Sequence, residues 1–164
     1  MSGWTFAEVW ETAAAQLPDA PCAKQGSRTV TWSEAERRAE GLATFLLDRG
    51  AQRQDKVAQY LYNCPAYLES VFACYKAALV PVNTNYRYAA DELVYLWDNA
   101  DAVAVIFHGI FADTIEAIRE RVPRVASWLW VDDGSGDCPE WATPYEQSAG
   151  AAGQPVVDRV ERSG

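Results

Sequence analysis

Few side chains in this sequence combine a reactive type with a position suited to chemistry. The single histidine, His108, follows an apolar run that predicts a strand, and parallel sheets place ligands at such strand ends. No serine, cysteine or metal partner for it can be identified, so a loop position is favoured over a catalytic role. Cys64 precedes the proline of a predicted helix, where a thiol pKa can fall, but capping or packing is favoured.

The adjacent carboxylates Asp132 and Asp133 begin a turn-rich segment, DDGSGDCPE. A carboxylate pair can bind a metal ion, but a solvated turn is the favoured interpretation here. The four cysteines form no CxxC pair, which argues against zinc. Glycine-rich nucleotide loops and GxSxG nucleophile motifs are absent from the sequence. We therefore predict no catalytic, cofactor-binding or metal-binding residue in this chain.

A further candidate is the segment from Asn83 to Arg87, which lies between a predicted strand and a predicted helix. Loops of this kind border ligand sites in parallel sheets. Asn83, Asn85 and Arg87 are thus candidates for a substrate wall, although asparagines more often satisfy the backbone of a turn.

The elements that position these residues are set by the stretch from Lys56 to Phe107. Three short apolar runs alternate there with two amphipathic helical patterns, which is typical of a βαβαβ unit. Ser127–Val131 predicts a fourth parallel strand. The fold class is therefore α/β, a Rossmann-like layered parallel sheet flanked by helices.

The flanks of this core predict a helix over 4–17, a hairpin over 22–32 and a helix after it that begins with a capping box. We expect one domain over 1–164, with an N-terminal region (4–50), a parallel core (56–131) and a loop-rich tail (132–164) that holds a short helix over 141–149. Helical spacing also assigns inward-facing and solvent-facing side chains. The residues predicted to face inward are Phe6, Val9, Trp10, Ala13, Leu68, Val71, Phe72 and Tyr75. The predicted capping box consists of Ser33 and Glu36. The residues predicted to face mainly solvent are Arg37, Arg38, Glu40 and Asp48.

Composition excludes some classes of function. The net charge of −9 over 164 residues argues against a nucleic-acid surface, because phosphate contacts need clustered basic side chains. No apolar run approaches the length of a transmembrane helix. The cysteine usage and the lack of a signal-peptide pattern favour reduced thiols in the cytoplasm.

One long stretch, YLYNCPAYLESVFACYKAALVPVNTNYRYAADELVYLWDNADAVAVIF, resembles the N-terminal part of AMP-forming acyl-CoA synthetases of the adenylate-forming superfamily. The run PVNTNYRYAADELVYLWDNADA is most similar to fatty-acyl and steroid-side-chain CoA ligases. The resemblance extends from Trp4 to Gly164. Two turn glycines common in the family are replaced, by Gln54 and by Ala78.

The resemblance implies a parent enzyme that uses ATP, Mg²⁺ and CoA to activate a fatty or steroid carboxylic acid. The family's phosphate-binding loop has no match here, although Glu161-Arg-Ser-Gly164 is similar to the approach to it. The implied chain is an N-terminal fragment, inactive alone and binding no cofactor. Its partners would be the rest of the large domain and the C-terminal domain, and its exposed apolar surfaces would favour a homodimer or other self-association.

Two other interpretations stay open at the level of sequence. The chain can be a free-standing α/β binding or interaction module, because a fold does not fix a function. It can also be one subunit of a split ligase.

Overall fold

The computed structural model describes residues 4–162. Residues 1–3 and 163–164, at the two ends of the predicted domain, lie outside the described residues. The core is a five-stranded parallel sheet with helices on both faces, and a two-stranded hairpin lies beside it. The predicted α/β class with a layered parallel sheet is confirmed.

The N-terminal region contains α1 (Phe6–Gln16), the hairpin strands β1 (Pro21–Gln25) and β2 (Arg28–Thr31), and α2 (Trp32–Asp48). These bounds confirm the predicted helix and hairpin. The predicted capping box at Ser33 is wrong, because the hydroxyl of Thr31 accepts from the backbone N–H of Glu34. The last residue of β2 therefore also caps α2, and the helix begins earlier than expected.

The sheet contains β3 (Lys56–Tyr60), β4 (Val80–Asn83), β5 (Ala102–His108), β6 (Ser127–Val131) and β7 (Thr143–Pro144). Its spatial order is β4-β3-β5-β6-β7, and every neighbouring pair is parallel. The four predicted parallel strands are confirmed. The two-residue β7 was not predicted, since a strand of that length carries no alternation to recognise.

Helices α3 (Pro65–Lys76), α4 (Ala90–Asn99), α5 (Ala112–Ile118) and α6 (Tyr145–Ala149) complete the layers. One core cluster joins α2, α3 and α6 to one face of the sheet, and a second joins α4 and α5 to the other. The predicted third helix is α5 with a 3₁₀ turn at each end, at Gly109–Phe111 and Arg119–Arg121. The predicted tail helix over 141–149 is shorter, because its first part contains β7.

Several predicted inward positions are wrong. Leu68 is 39% exposed, and Phe6 and Val9 are exposed as well. α1 instead buries the small residues Ala7 and Ala14. Small side chains allow closer approach between packed helices. Of the larger apolar residues predicted to face inward, Trp10 does pack against the core, with its ring 4.9 Å from that of Phe72.

Candidate functional site

The topology places a crevice between β3 and β5. From β3 the chain crosses outward to β4, whereas from β5 it crosses the other way to β6 and β7. In open α/β sheets ligands bind beside the carboxyl ends of the strands at this reversal of strand order. Tyr62, just after β3, and His108, the last residue of β5, lie at this point.

His108 is buried at the end of β5, so the favoured loop position is wrong. Its Nδ1 accepts a hydrogen bond of 3.0 Å from the backbone N–H of Tyr62, and the two rings stack with centroids 5.7 Å apart. This acceptor role assigns the proton of the neutral ring to Nε2. Burial lowers the pKa of His108, with Asp133 opposing the shift, and this favours the neutral ring.

A groove of about 650 Å³ lies beside the carboxyl ends of β3 and β4. Asn83 and Asn85 line it, together with the rings of Tyr62, Tyr67 and Tyr86. Asn85 Oδ1 accepts from the backbone N–H of Arg87 at 3.0 Å, so this asparagine also stabilises its own turn. Arg87 does not line the groove, and its guanidinium lies over the Tyr86 ring.

Thr84 fixes the base of this groove and was not predicted as a site residue. It is buried, and its hydroxyl accepts from the indole N–H of Trp97 at 3.1 Å. Its position between two candidate asparagines gave no separate signal, because the partner Trp97 is thirteen residues away on α4. Thr84 therefore supports the loop from below.

A second cleft, of about 520 Å³, lies on the other side of His108. Its walls come from the hairpin, the start of α3, the end of β6 and the start of α6. Its polar lining residues are Gln25, Arg28, Arg38, His108, Asp132, Asp133 and Glu146. We call this the Arg38 cleft.

Asp132 and Asp133 line this cleft but serve the loop that contains them. Asp132 accepts from the backbone N–H of Gly134, while Asp133 accepts from Ser135 and from the backbone N–H of Ile110. Burial alone would raise the pKa of Asp133, but these hydrogen bonds outweigh it and lower that pKa. The structure agrees with the turn interpretation of this pair.

Cys64 also follows the favoured interpretation. It is the N-cap residue of α3, and its side chain makes no capping hydrogen bond. Burial raises the pKa of the Cys64 thiol, although the nearby N–H groups of Tyr67 and Ala66 oppose the shift. A raised pKa disfavours the nucleophilic thiolate.

The floor of the Arg38 cleft is an ion-pair network that sequence reasoning missed. Arg38 was predicted to face solvent, yet it is buried and its Nε donates to Glu69 at 2.9 Å. Its two Nη atoms donate to the carboxylate of Glu146 at 2.6 and 2.8 Å. The hydroxyl of Tyr145 donates to Glu69 at 2.9 Å. A signal was available, because Arg38 lies on the same helical face as Ala35 and Leu42.

Two kinds of site are not found in the described residues. Between residues 4 and 162, no three histidine, cysteine or acidic side chains converge as metal ligands. Over the same range, no helix is both long enough and apolar enough to cross a membrane.

The strand order is that of a doubly wound α/β domain. The model of the AMP-binding enzyme family matches residues 10–161. The chain therefore belongs to the AMP-binding enzyme family.

Among curated relatives, the chain is 35% identical over 159 residues to a medium/long-chain-fatty-acid–CoA/3-oxocholest-4-en-26-oate–CoA ligase of Mycobacterium tuberculosis, covering 96% of this chain and 29% of that protein. It is 31% identical over 159 residues to the 3-oxocholest-4-en-26-oate–CoA ligase of Rhodococcus rhodochrous, again covering 96% of this chain and 29% of the relative. The chain thus spans less than a third of the length of these relatives.

Solved structures agree on the fold. One described as a long-chain-fatty-acid CoA ligase from Rhodopseudomonas palustris superposes with a TM-score of 0.81 at 26% identity, covering 93% of this chain and 37% of that one. The anthranilate CoA ligase AuaEII, solved with anthranoyl-AMP, gives a TM-score of 0.85 at 18% identity and covers 98% and 30%. The second likeness concerns the fold alone. The chain thus aligns with only part of each of these CoA ligase structures.

Proposed function

We propose that this chain is the N-terminal part of an ATP-dependent, AMP-forming acyl-CoA synthetase. The observation that carries the proposal is the 35% identity over 159 residues to a fatty-acid and steroid-acid CoA ligase. In the whole enzyme, a carboxylate oxygen would attack the α-phosphorus of ATP, forming an acyl-adenylate and releasing pyrophosphate. The CoA thiolate would then attack the acyl carbon and release AMP.

The relatives' names support a medium-chain or long-chain fatty acid, or a steroid side-chain acid, as the substrate class. ATP and CoA are the expected co-substrates, and Mg²⁺ would offset phosphate charge in the first step. The described residues offer no metal-ligand cluster of their own for that ion. We place the reaction in the cytoplasm.

In the proposed whole enzyme, this chain supplies one sheet layer and no catalytic group. Asn83 and Asn85 line the groove at the sheet edge, which supports a role in a substrate wall. Arg87 would act through the Asn85 turn. In a longer polypeptide, N83A should raise the KM for a substrate with little change in kcat, whereas Y95A, on exposed α4 surface, should change neither. An unchanged KM would remove Asn83 from the wall.

The test of the overall proposal is ATP–pyrophosphate exchange with fatty acids. We expect no exchange from the purified 164-residue chain, with circular dichroism confirming that it is folded. A polypeptide extended to the length of the relatives should restore exchange. Robust exchange by the short chain would contradict the scaffold role, and an inactive but folded long polypeptide would contradict the synthetase assignment.

Self-association of the isolated chain belongs to the same proposal. Trp4, just before α1, and Phe6 and Val9 on α1 expose apolar surface. Exposed apolar patches of this kind promote association, most simply as a two-fold dimer. A monodisperse monomer in light scattering at high protein concentration would argue against it.

A further inference from the structure

Arg38 presents an unusual geometry for a buried cation. It lies on α2 at the floor of the Arg38 cleft, and its side chain is only 8% exposed. One edge of the guanidinium binds Glu69, and the fork formed by Nη1 and Nη2 binds both oxygens of Glu146. A guanidinium fork matches a carboxylate or a phosphate with two parallel hydrogen bonds.

The two acidic partners of Arg38 differ in how firmly they are held. The Glu69 side chain is 2% exposed, and it also accepts from the Tyr145 hydroxyl, so its position is fixed. The Glu146 side chain is 68% exposed although its carboxylate reaches a buried partner. Its departure into solvent would hydrate the carboxylate and would cost the two hydrogen bonds to Arg38, whose charge Glu69 would still pair.

The backbone that carries Glu146 does not have to move with it. Tyr145, its neighbour on α6, is fully packed between α2 and α3. Gly41 of α2 lies against the backbone of Ala149, where even a methyl group would not fit. Rotation of the Glu146 side chain alone would therefore expose the Arg38 fork to the cleft.

The arginines around Glu146 favour an anion at the position of its carboxylate, although other carboxylates lie near the same cleft. Arg28, Arg37 and Arg38 all lower the pKa of Glu146, with the Arg38 hydrogen bonds dominant. The opposing charges are Asp132 and Asp133 on the far wall, which the backbone and Ser135 already engage, and the buried Glu69. Glu34 lies 3.5 Å from Arg28 on exposed surface, where screening weakens the pair.

We infer that the Arg38 fork is a binding site for a carboxylate or phosphate group, and that the Glu146 carboxylate occupies this site in the intact chain. This site is separate from the groove of Asn83 and goes beyond the proposed synthetase function. Because Glu146 is tethered, its effective concentration at the fork is high, and free anions compete with it poorly. The site is therefore closed in the intact chain and opens when the Glu146 carboxylate is removed.

The experiment uses E146A in the full 164-residue chain, titrated with acetate as a carboxylate probe and with inorganic phosphate as a phosphoryl probe, at constant ionic strength. Binding is followed by the ¹⁵N-resolved Nε–Hε signal of Arg38 and by the melting temperature. We expect saturable binding at least about tenfold tighter than in the wild type. The matched control is E140A, which removes the same negative charge from an exposed position outside the Arg38 cleft.

A third variant, E146A combined with R38K, keeps the positive charge but loses the fork, and it should lose the saturable binding. If E146A does not fold, E146S, whose side chain is likewise too short to occupy the fork, serves in its place. Equal responses of E146A and E140A would show only general salt effects and would overturn the proposal. Binding that survives R38K would overturn it as well. Whichever probe binds more tightly identifies the ligand class.

Discussion

Two buried basic side chains, Arg38 on α2 and Lys76 on α3, are neutralised in different ways. Lys76 Nζ lies 2.7, 2.6 and 3.0 Å from carboxylate oxygens of Glu11, Glu36 and Glu40. Those side chains are each about three-tenths exposed. Burial would lower the pKa of Lys76, but the three carboxylates outweigh it and raise that pKa.

The partners of Lys76 have further bonds that close the cluster. Glu40 also accepts from the backbone N–H of Val156, and Glu11 also accepts from Arg162. The cluster thus ties α1, α2, α3 and the final segment together. The comparison teaches that a buried cation does not by itself define a ligand site. A partner that can leave, as Glu146 can, is what separates the Arg38 cleft from a structural cluster.

The strongest test of this contrast is K76M. Removing the ammonium leaves three carboxylates facing one another, with only Glu11 still paired, to Arg162, so the free energy of unfolding should fall by about 3–5 kcal/mol. Urea denaturation monitored by tryptophan fluorescence measures the change. The control K24M alters an exposed lysine of the hairpin and should change stability little. A loss for K76M below about 1 kcal/mol would show that the cluster is not structural.

A second test separates the two clusters. In G41A, the added methyl would lie 2.3 Å from the carbonyl oxygen of Ala149, so α6 must shift. We expect a loss of about 1–3 kcal/mol from overpacking. The Arg38–Glu146 pairing should break while the Lys76 cluster persists, as read from the side-chain NMR signals of Arg38 and Lys76. The control is G136A, which has open space around the new methyl.

The smallest expected effect is a difference in pH dependence. Hydrogen bonds from Arg38 lower the pKa of Glu146, so its contribution to stability is present above the ordinary glutamate pKa and is lost as the pH falls. Burial raises the pKa of Glu36, despite opposition from Lys76, so its contribution is present in acid and is lost as the pH rises through that raised pKa.

E146Q and E36Q should therefore change the stability curve in opposite senses between about pH 4 and 7. Relative to the wild type, E146Q loses most stability at the upper end of this range. E36Q gains stability as the pH rises, because it lacks a carboxylate that must ionise beside two others. Urea unfolding at several pH values checks both, with E140Q as the control. If the free energy of unfolding depended on pH in the same way for E146Q, E36Q and E140Q, the proposed difference between the Arg38 and Lys76 clusters would be contradicted.

Local sequence patterns were sufficient to predict most of the strands and helices. The run AVAVIF predicted the central strand β5, since a strand covered on both faces is continuously apolar. Pro65 at the first position of α3 was likewise readable from the sequence. The short β7 and the 3₁₀ turns around α5 were not, because two or three residues carry no periodic signal.

The residues of the candidate sites also divide into those that the sequence predicts and those that it does not. Asn83 and Asn85 are candidates because they lie where a predicted strand ends, and both line a groove in the structure. The prediction that Arg38 faces solvent is wrong, because its position on the buried stripe of α2 outweighs its charge. A buried charge is tolerated only where partners meet it, and those partners came from α3 and α6.

By itself, the sequence determined the alternation of strands and helices, the parallel sheet and the family, because these follow from periodicity and from long spaced similarity. Only the tertiary structure decided which polar groups are buried together. Arg38 meets Glu69 across 31 residues and Glu146 across 108, and no local pattern encodes such separations. The packing of α6 against α2 brings them together, and that packing makes the Arg38 cleft.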